Sequence, residues 1–139
     1  MPKSGPIIII EDDLDDQEML KEVLEDLKVP NILRFFSSCI KALDYLLTTL
    51  ERPFLIISDI NLPSMTGIEL KQEINSNELL RKKNIPFVFL STTPDNQAIA
   101  TAYEVRVQGY FVKPPRFSDL KEMMGLVINY WKVARLPSF

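Results

Sequence analysis

Five short apolar runs punctuate the chain: Pro6 to Ile10, Ile32 to Phe36, Phe54 to Ile57, Phe87 to Leu90 and Gly109 to Val112. They are rich in β-branched and aromatic residues and too short for helices, so they predict strands, mostly buried on both faces, with the second a candidate edge strand. Between them the apolar positions change to spacings of three and four. Leu20, Val23, Leu24 and Leu27 predict a first helix over Leu14 to Leu27. Ile40, Leu43, Leu46 and Leu47 predict a second from about Ser38 to Leu50, after a break at Val29 to Asn31. Ile68, Leu70 and Ile74 mark a third beyond Gly67, and a polar segment from Asn75 to Asn84 follows. Asp95 can cap a fourth, with Ala98, Ile99, Ala102 and Val105 inward. Leu120, Met123, Met124, Val127 and Trp131 mark the last, from about Phe117. Strands alternating with helices predict an α/β fold: a doubly wound parallel sheet with helices on both faces, in the flavodoxin-like strand order 2-1-3-4-5.

The length, 139 residues, fits one domain. The run Phe54 to Ile57 is the one the rest is organised around. It ends in Ser58 and Asp59, which puts a carboxylate at the carboxyl end of a strand, where open α/β sheets bind ligands. Pro63 and Gly67 hold the loop that follows. Three other strands end in functional groups: Glu11, Asp12 and Asp13 after the first, Ser91 and Thr92 after the fourth, Lys113 after the fifth. A parallel sheet brings all of these to one edge.

Composition narrows the chemistry. Histidine is absent, which removes imidazole-based metal sites and nucleophile pairs. A net charge of −3 argues against direct nucleic-acid binding. Cys39 is the single cysteine, which fits a reducing compartment and is most simply a core or helix-edge residue. The first apolar run is followed at once by acids and no run is long enough to span a bilayer, so a cytoplasmic protein without membrane attachment is expected. Between Glu11 and Asp26 nine acids meet one base, Lys21; Asp15, Asp16, Glu18, Glu22 and Glu25 read as a solvated helix face.

An apolar strand with an acidic pair (Glu11, Asp12), Asp59 with Pro63 and Gly67, Ser91, and Lys113 followed by Pro114 form a motif set that resembles the receiver domain of two-component response regulators over essentially the whole chain. The spacing from Ser91 to Lys113 (113 − 91 = 22) and Tyr110 three positions before the lysine match as well. The resemblance implies a phosphorelay function: Asp59 accepts a phosphoryl group from the phosphohistidine of a sensor histidine kinase or phosphotransfer protein. It implies Mg²⁺ as cofactor, with Asp12 and Asp59 as ligands, Glu11 assisting and Asn61 offering its backbone carbonyl. Lys113, Ser91 and Thr92 contact the phosphoryl group, and Ser91 and Tyr110 are the switch. The only catalysis implied is the chain's own phosphorylation and dephosphorylation. Two like charges about 4 Å apart repel by roughly 4 kcal/mol at an effective dielectric of 20, so clustered carboxylates need a cation, and an oxygen-only donor set suits Mg²⁺.

Some assignments stay open at this level. Asp13 either joins the metal site or caps the first helix. Tyr110 is a switch side chain or a half-buried aromatic. The Lys113–Pro114 bond is a candidate cis bond. Ala42 to Leu46, the long segment after the third helix, and the ending Tyr130, Trp131, Leu136 and Pro137 resemble small stand-alone receivers paired with phytochrome-type sensor kinases. The chain ends soon after the fifth helix, so no output domain is expected. Signalling then relies on a changed interaction surface, with a homodimer through the fourth helix, fifth strand and fifth helix as one outcome; Tyr103, Arg106, Tyr130 and Trp131 are candidates for that face. Pro94 departs from the pattern by stiffening a loop that moves in many receivers. A phosphatase of the haloacid dehalogenase type would need an acid where Asn61 stands, and a flavin carrier would meet a repelling Glu11 to Asp13. A phosphorylation-independent interaction module on the same fold is the remaining alternative.

Overall fold

A computed structural model describes residues 2–92 and 95–137. Five strands, β1 (Ile7–Ile10), β2 (Leu33–Phe36), β3 (Leu55–Ser58), β4 (Phe87–Ser91) and β5 (Gly109–Val112), form one sheet in the order β2-β1-β3-β4-β5. Every pairing is parallel. The expected order is therefore observed, with β2 at an edge and β3 in the centre.

Alternation along each strand divides the core in two. Ile7, Ile9, Leu55, Ile57, Val88 and Leu90 face helices α1 (Leu14–Asp26) and α6 (Phe117–Val133). Ile8, Ile10, Ile56, Phe87 and Phe89 face α2 (Cys39–Thr48), α3 (Gly67–Ser76) and α5 (Asn96–Glu104). Fully burying one such side chain is worth about 1.5–3 kcal/mol, and the four isoleucines of β1 are all buried. This is why a strand with no polar face can end in three acids and still hold its place.

Three expectations need correction. The polar segment after α3 contains a further helix, α4 (Glu78–Lys82), so the described residues hold six α-helices rather than five. Asn77 ends α3 and its side chain accepts from the Leu80 amide at 3.0 Å, restarting the helix and burying Leu80. The inward stripe of α2 is Cys39, Ala42 and Leu46, while Ile40 and Leu47 are each 52% exposed. Small residues let α2 lie close to the sheet, a packing advantage that ranking positions by side-chain size misses. Burial pushes the Cys39 thiol up to about 12, as expected of an inert core residue. Finally, Trp131 is 9% exposed and belongs to the core, whereas its neighbour Tyr130 is 61% exposed. No described helix is long and apolar enough to cross a membrane.

Candidate functional site

Asp59 follows the last residue of β3. Ile10 pairs with Ser58 in the parallel register, and the Asp59 amide donates to the Ile10 carbonyl at 3.0 Å. The residues after β1 are thereby brought beside Asp59. Its Oδ1 accepts from the Ile60 amide at 2.7 Å, which fixes the carboxyl plane. The loop beyond folds back on the strand end: the Gly67 amide donates to the Ile60 carbonyl at 2.9 Å, and Met65 to Pro63 at 2.9 Å. Ser64 sits in the left-handed region, φ 69°, a local strain held by these bonds. Gly67 has no room for a side chain. A Cβ there would lie 2.5 Å from the Asp59 carbonyl oxygen and 2.6 Å from Phe89 Cε1. Thr66 and Glu69 close the start of α3 with a reciprocal capping box.

Carboxylate oxygens of Glu11, Asp12 and Asp59 lie within 4.8 Å of one another. Glu11 is buried, and that burial pushes its carboxyl up to about 7 from 4.5; the Asp59 charge and a hydrogen bond with Asp12 add to the rise, while the Asp13 amide and Lys113 oppose it. Burial, followed by the Asp12 charge, raises Asp59 too, against hydrogen bonds from the Ile60 and Asn61 amides. Three crowded acids with oxygen donors, two of them resisting ionisation, are what a hard divalent cation would relieve. The set fits such an ion. Asp13 accepts from the Asp16 amide at 3.0 Å and caps α1, so the structure shows its capping role, and its carboxylate is outside the close trio. Gln17, which the sequence pattern did not single out, donates its side-chain amide to the Glu11 carbonyl.

Lys113 continues β5 past Val112, with its amide donating to the Ser91 carbonyl at 2.8 Å. The Lys113 side chain is 7% exposed, and its charge lowers both Glu11 and Asp59. Its Nζ lies 3.0 Å from Asp16 Oδ1, an ion pair too poorly aligned to count as a hydrogen bond. Asp16 is therefore a neighbour of the site and not merely part of a solvated face. No periodicity signals it: Asp12 precedes α1, so it shares no helical turn with Asp16.

Ser91 is buried at the end of β4, while Thr92 and Asn61 are exposed. Tyr110 is half-buried, its ring edge-on to Phe89 at 6.4 Å and 62°. The described chain has no cis peptide bond, so the Lys113–Pro114 expectation is corrected to trans. Lys113 extends the ladder, the extended conformation favoured before proline, and nothing forces the costlier isomer. The proposed stiffening by Pro94 lies outside the described residues.

The chain is also similar to known proteins in sequence and fold. A family model described as response regulator receiver domain matches residues 7–125. Response regulator Rcp1 of Synechocystis sp. is 31% identical over 138 residues, covering 95% of this chain and 92% of that protein. A probable methanogenesis regulatory protein, FilR2 of Methanothrix harundinacea, is 29% identical, covering 90% and 82%. Among solved structures, the phosphorylated cyanobacterial phytochrome response regulator RcpA matches with TM-score 0.86 and 31% identity, covering 96% of this chain and 99% of that one. The Mn²⁺-bound form of Rcp1 matches with TM-score 0.83 and 28% identity, covering 96% and 99%.

Proposed function

Because the chain belongs to the response regulator receiver family of two-component signalling, we propose that Asp59 accepts a phosphoryl group from the phosphohistidine of a partner sensor kinase or phosphotransfer protein in the cytoplasm. The protein signals and is not an enzyme in the ordinary sense. The observation that carries the reading is the convergence of Asp59 with Glu11, Asp12 and the buried Lys113 at one sheet edge.

Ionised Asp59 attacks phosphorus, a P–O bond forms, the P–N bond breaks, and the imidazole leaves with a proton. Phosphoryl transfer of this kind depends mainly on positioning and charge neutralisation. The Ile60 amide holds one oxygen of Asp59 in place. Lys113 and the hydroxyls of Ser91 and Thr92 take the phosphoryl oxygens. When bound, Mg²⁺ held by Asp12, Asp59, the Asn61 carbonyl and an assisting Glu11 supplies the remaining positive charge. Hydrolysis of the acyl phosphate, catalysed by the same groups, resets the protein.

Output works through a surface. Among the exposed apolar and aromatic residues of α5, β5 and α6 are Tyr103, Val112 and Tyr130, a set suited to an interface. Drawing Ser91 towards phosphorylated Asp59 frees space into which Tyr110 turns, altering that face and favouring a homodimer or a kinase complex. Moving a population from 1:99 to 99:1 takes about 5.5 kcal/mol, more than one hydrogen bond supplies, so partner binding completes the shift. The test is intact mass after incubation with a small phosphodonor, with and without Mg²⁺, then sedimentation with beryllofluoride. One phosphoryl group gained only with Mg²⁺, and tighter association with the mimic, support the reading; no gain in mass sinks it.

A further inference from the structure

The end of the sheet opposite Asp59 carries features that the acidic site does not use. Pro53 and Phe54 lead into β3 and Pro86 into β4, and the last turn of α6 with the segment after it folds beneath them. Between these lies a cleft of about 450 Å³ with Phe54, Pro86, Trp131 and Leu136 among its apolar lining. Clefts of this size hold ligands. Its cationic residues include Arg52, Lys83, Lys132 and Arg135, and no acid among the described residues lines it. A second cleft of about 470 Å³ adjoins it, sharing Arg52 and Lys83. Leu47, Leu50 and Leu79 line this second lobe and are largely exposed.

Four cations without an ion-pair partner among the described residues gather at this cleft. Arg34, Lys82, Lys113, Arg116 and Lys121 each face a carboxylate within 4.0 Å. The side chains of Arg52, Lys83, Lys132 and Arg135 have no such partner among the described residues. Glu51, the one acid of the second lobe, is held by Arg34 at 2.7 Å. The carbonyl end of α6 would repel an anion, but the Lys3 ammonium covers it, donating to the carbonyls of Trp131 at 3.2 Å, Lys132 at 2.5 Å and Ala134 at 2.5 Å. On a chain of net charge −3, this is a local positive field flanked by apolar surface.

We propose that the double cleft is a docking groove for an extended acidic segment of a partner protein. Adjacent carboxylates of that segment lie over Arg52 and Lys83, and apolar residues on either side enter the Trp131 lobe and the Leu47–Leu79 lobe. The order follows from the shared lining, which sets a cationic saddle between two apolar hollows. Two joined lobes and three exposed leucines match a peptide better than a small anion. From Phe54 to Asp59 is five residues along the strand direction, roughly 16 Å, so the groove and the acidic site can be occupied together.

The test is selection from a phage-displayed random peptide library on the full chain, counter-selected against an Arg52→Glu, Lys83→Glu double variant. Selected sequences should carry adjacent Asp or Glu flanked by apolar residues. A synthetic representative should change the emission of Trp131, the single tryptophan, and weaken with salt. Affinity for the double variant should fall by roughly tenfold or more. Leu79→Asp, on the exposed rim, gives a second variant and should also weaken binding, while Asp59→Asn should leave it unchanged and so separates the groove from the phosphoryl reading. An empty selection, peptides without acidic enrichment, equal affinity for the double variant, or indifferent Trp131 emission overturns the proposal.

Discussion

Replacing Glu11 with glutamine should stabilise the metal-free protein. The carboxyl is buried against Asp12 and Asp59, and its pKa rises from 4.5 to about 7. A shift of this size corresponds to roughly 3 kcal/mol at about 1.4 kcal/mol per pH unit, an upper figure because Asp59 shares the coupling. The sign follows from proton binding. Between the unfolded value of 4.5 and the folded value of about 7, the native state holds more protons than the unfolded chain. Stability therefore falls as pH rises through that window and levels off above it. Glutamine carries no charge and keeps an oxygen for the Asp13 amide, which now donates to Glu11 Oε2 at 3.2 Å. At about pH 8 in chelator, a gain of about 1–3 kcal/mol should raise Tm by roughly 4–12 °C. The gap should close towards about pH 5, where wild-type Glu11 is itself protonated. Thermal melts by circular dichroism across this range provide the assay. A variant that melts at or below wild type at the alkaline end, or a gap that ignores pH, would refute the reasoning.

Asp12→Ala should abolish the rise of Tm with Mg²⁺ concentration, whereas Asp13→Ala should cost about 1 kcal/mol through its lost cap yet keep that dependence. Paired melting titrations distinguish a ligand from a cap; identical metal responses would mean the roles are misassigned. Gly67→Ala should destabilise by about 1–3 kcal/mol, since its methyl meets the Asp59 carbonyl at 2.5 Å and Phe89 at 2.6 Å. Urea denaturation measures this, and an unchanged midpoint would show that the loop yields freely.

The sheet was legible because its strands are short, largely apolar runs, broken only by Arg34 in β2, and both the order and the position of Asp59 follow from parallel pairing and right-handed crossovers. The acidic trio was legible for the same reason, since its members lie in the one or two positions after β1 and β3. What the pattern hid depends on contacts rather than on period. Cys39 and Ala42 line α2 because small side chains permit close approach, and Asn77 restarts a helix with one side-chain bond. Asp16 reads as a surface acid until α1 is set beside Lys113. Lys71 is a further example: it is buried on α3 with its ammonium 5.8 Å from the Phe87 ring centre, and burial followed by Arg106 lowers its pKa. No apolar periodicity predicts a lysine there.

The central claim is that Asp59 is the sole phosphoryl acceptor, and intact mass spectrometry of wild type and Asp59→Asn tests it most directly. Both are incubated with Mg²⁺ and a small phosphodonor after melting curves establish that both are folded. Wild type should gain one phosphoryl group and the variant none. Equal labelling of the variant, or label mapped to another residue of the wild type, would contradict the account.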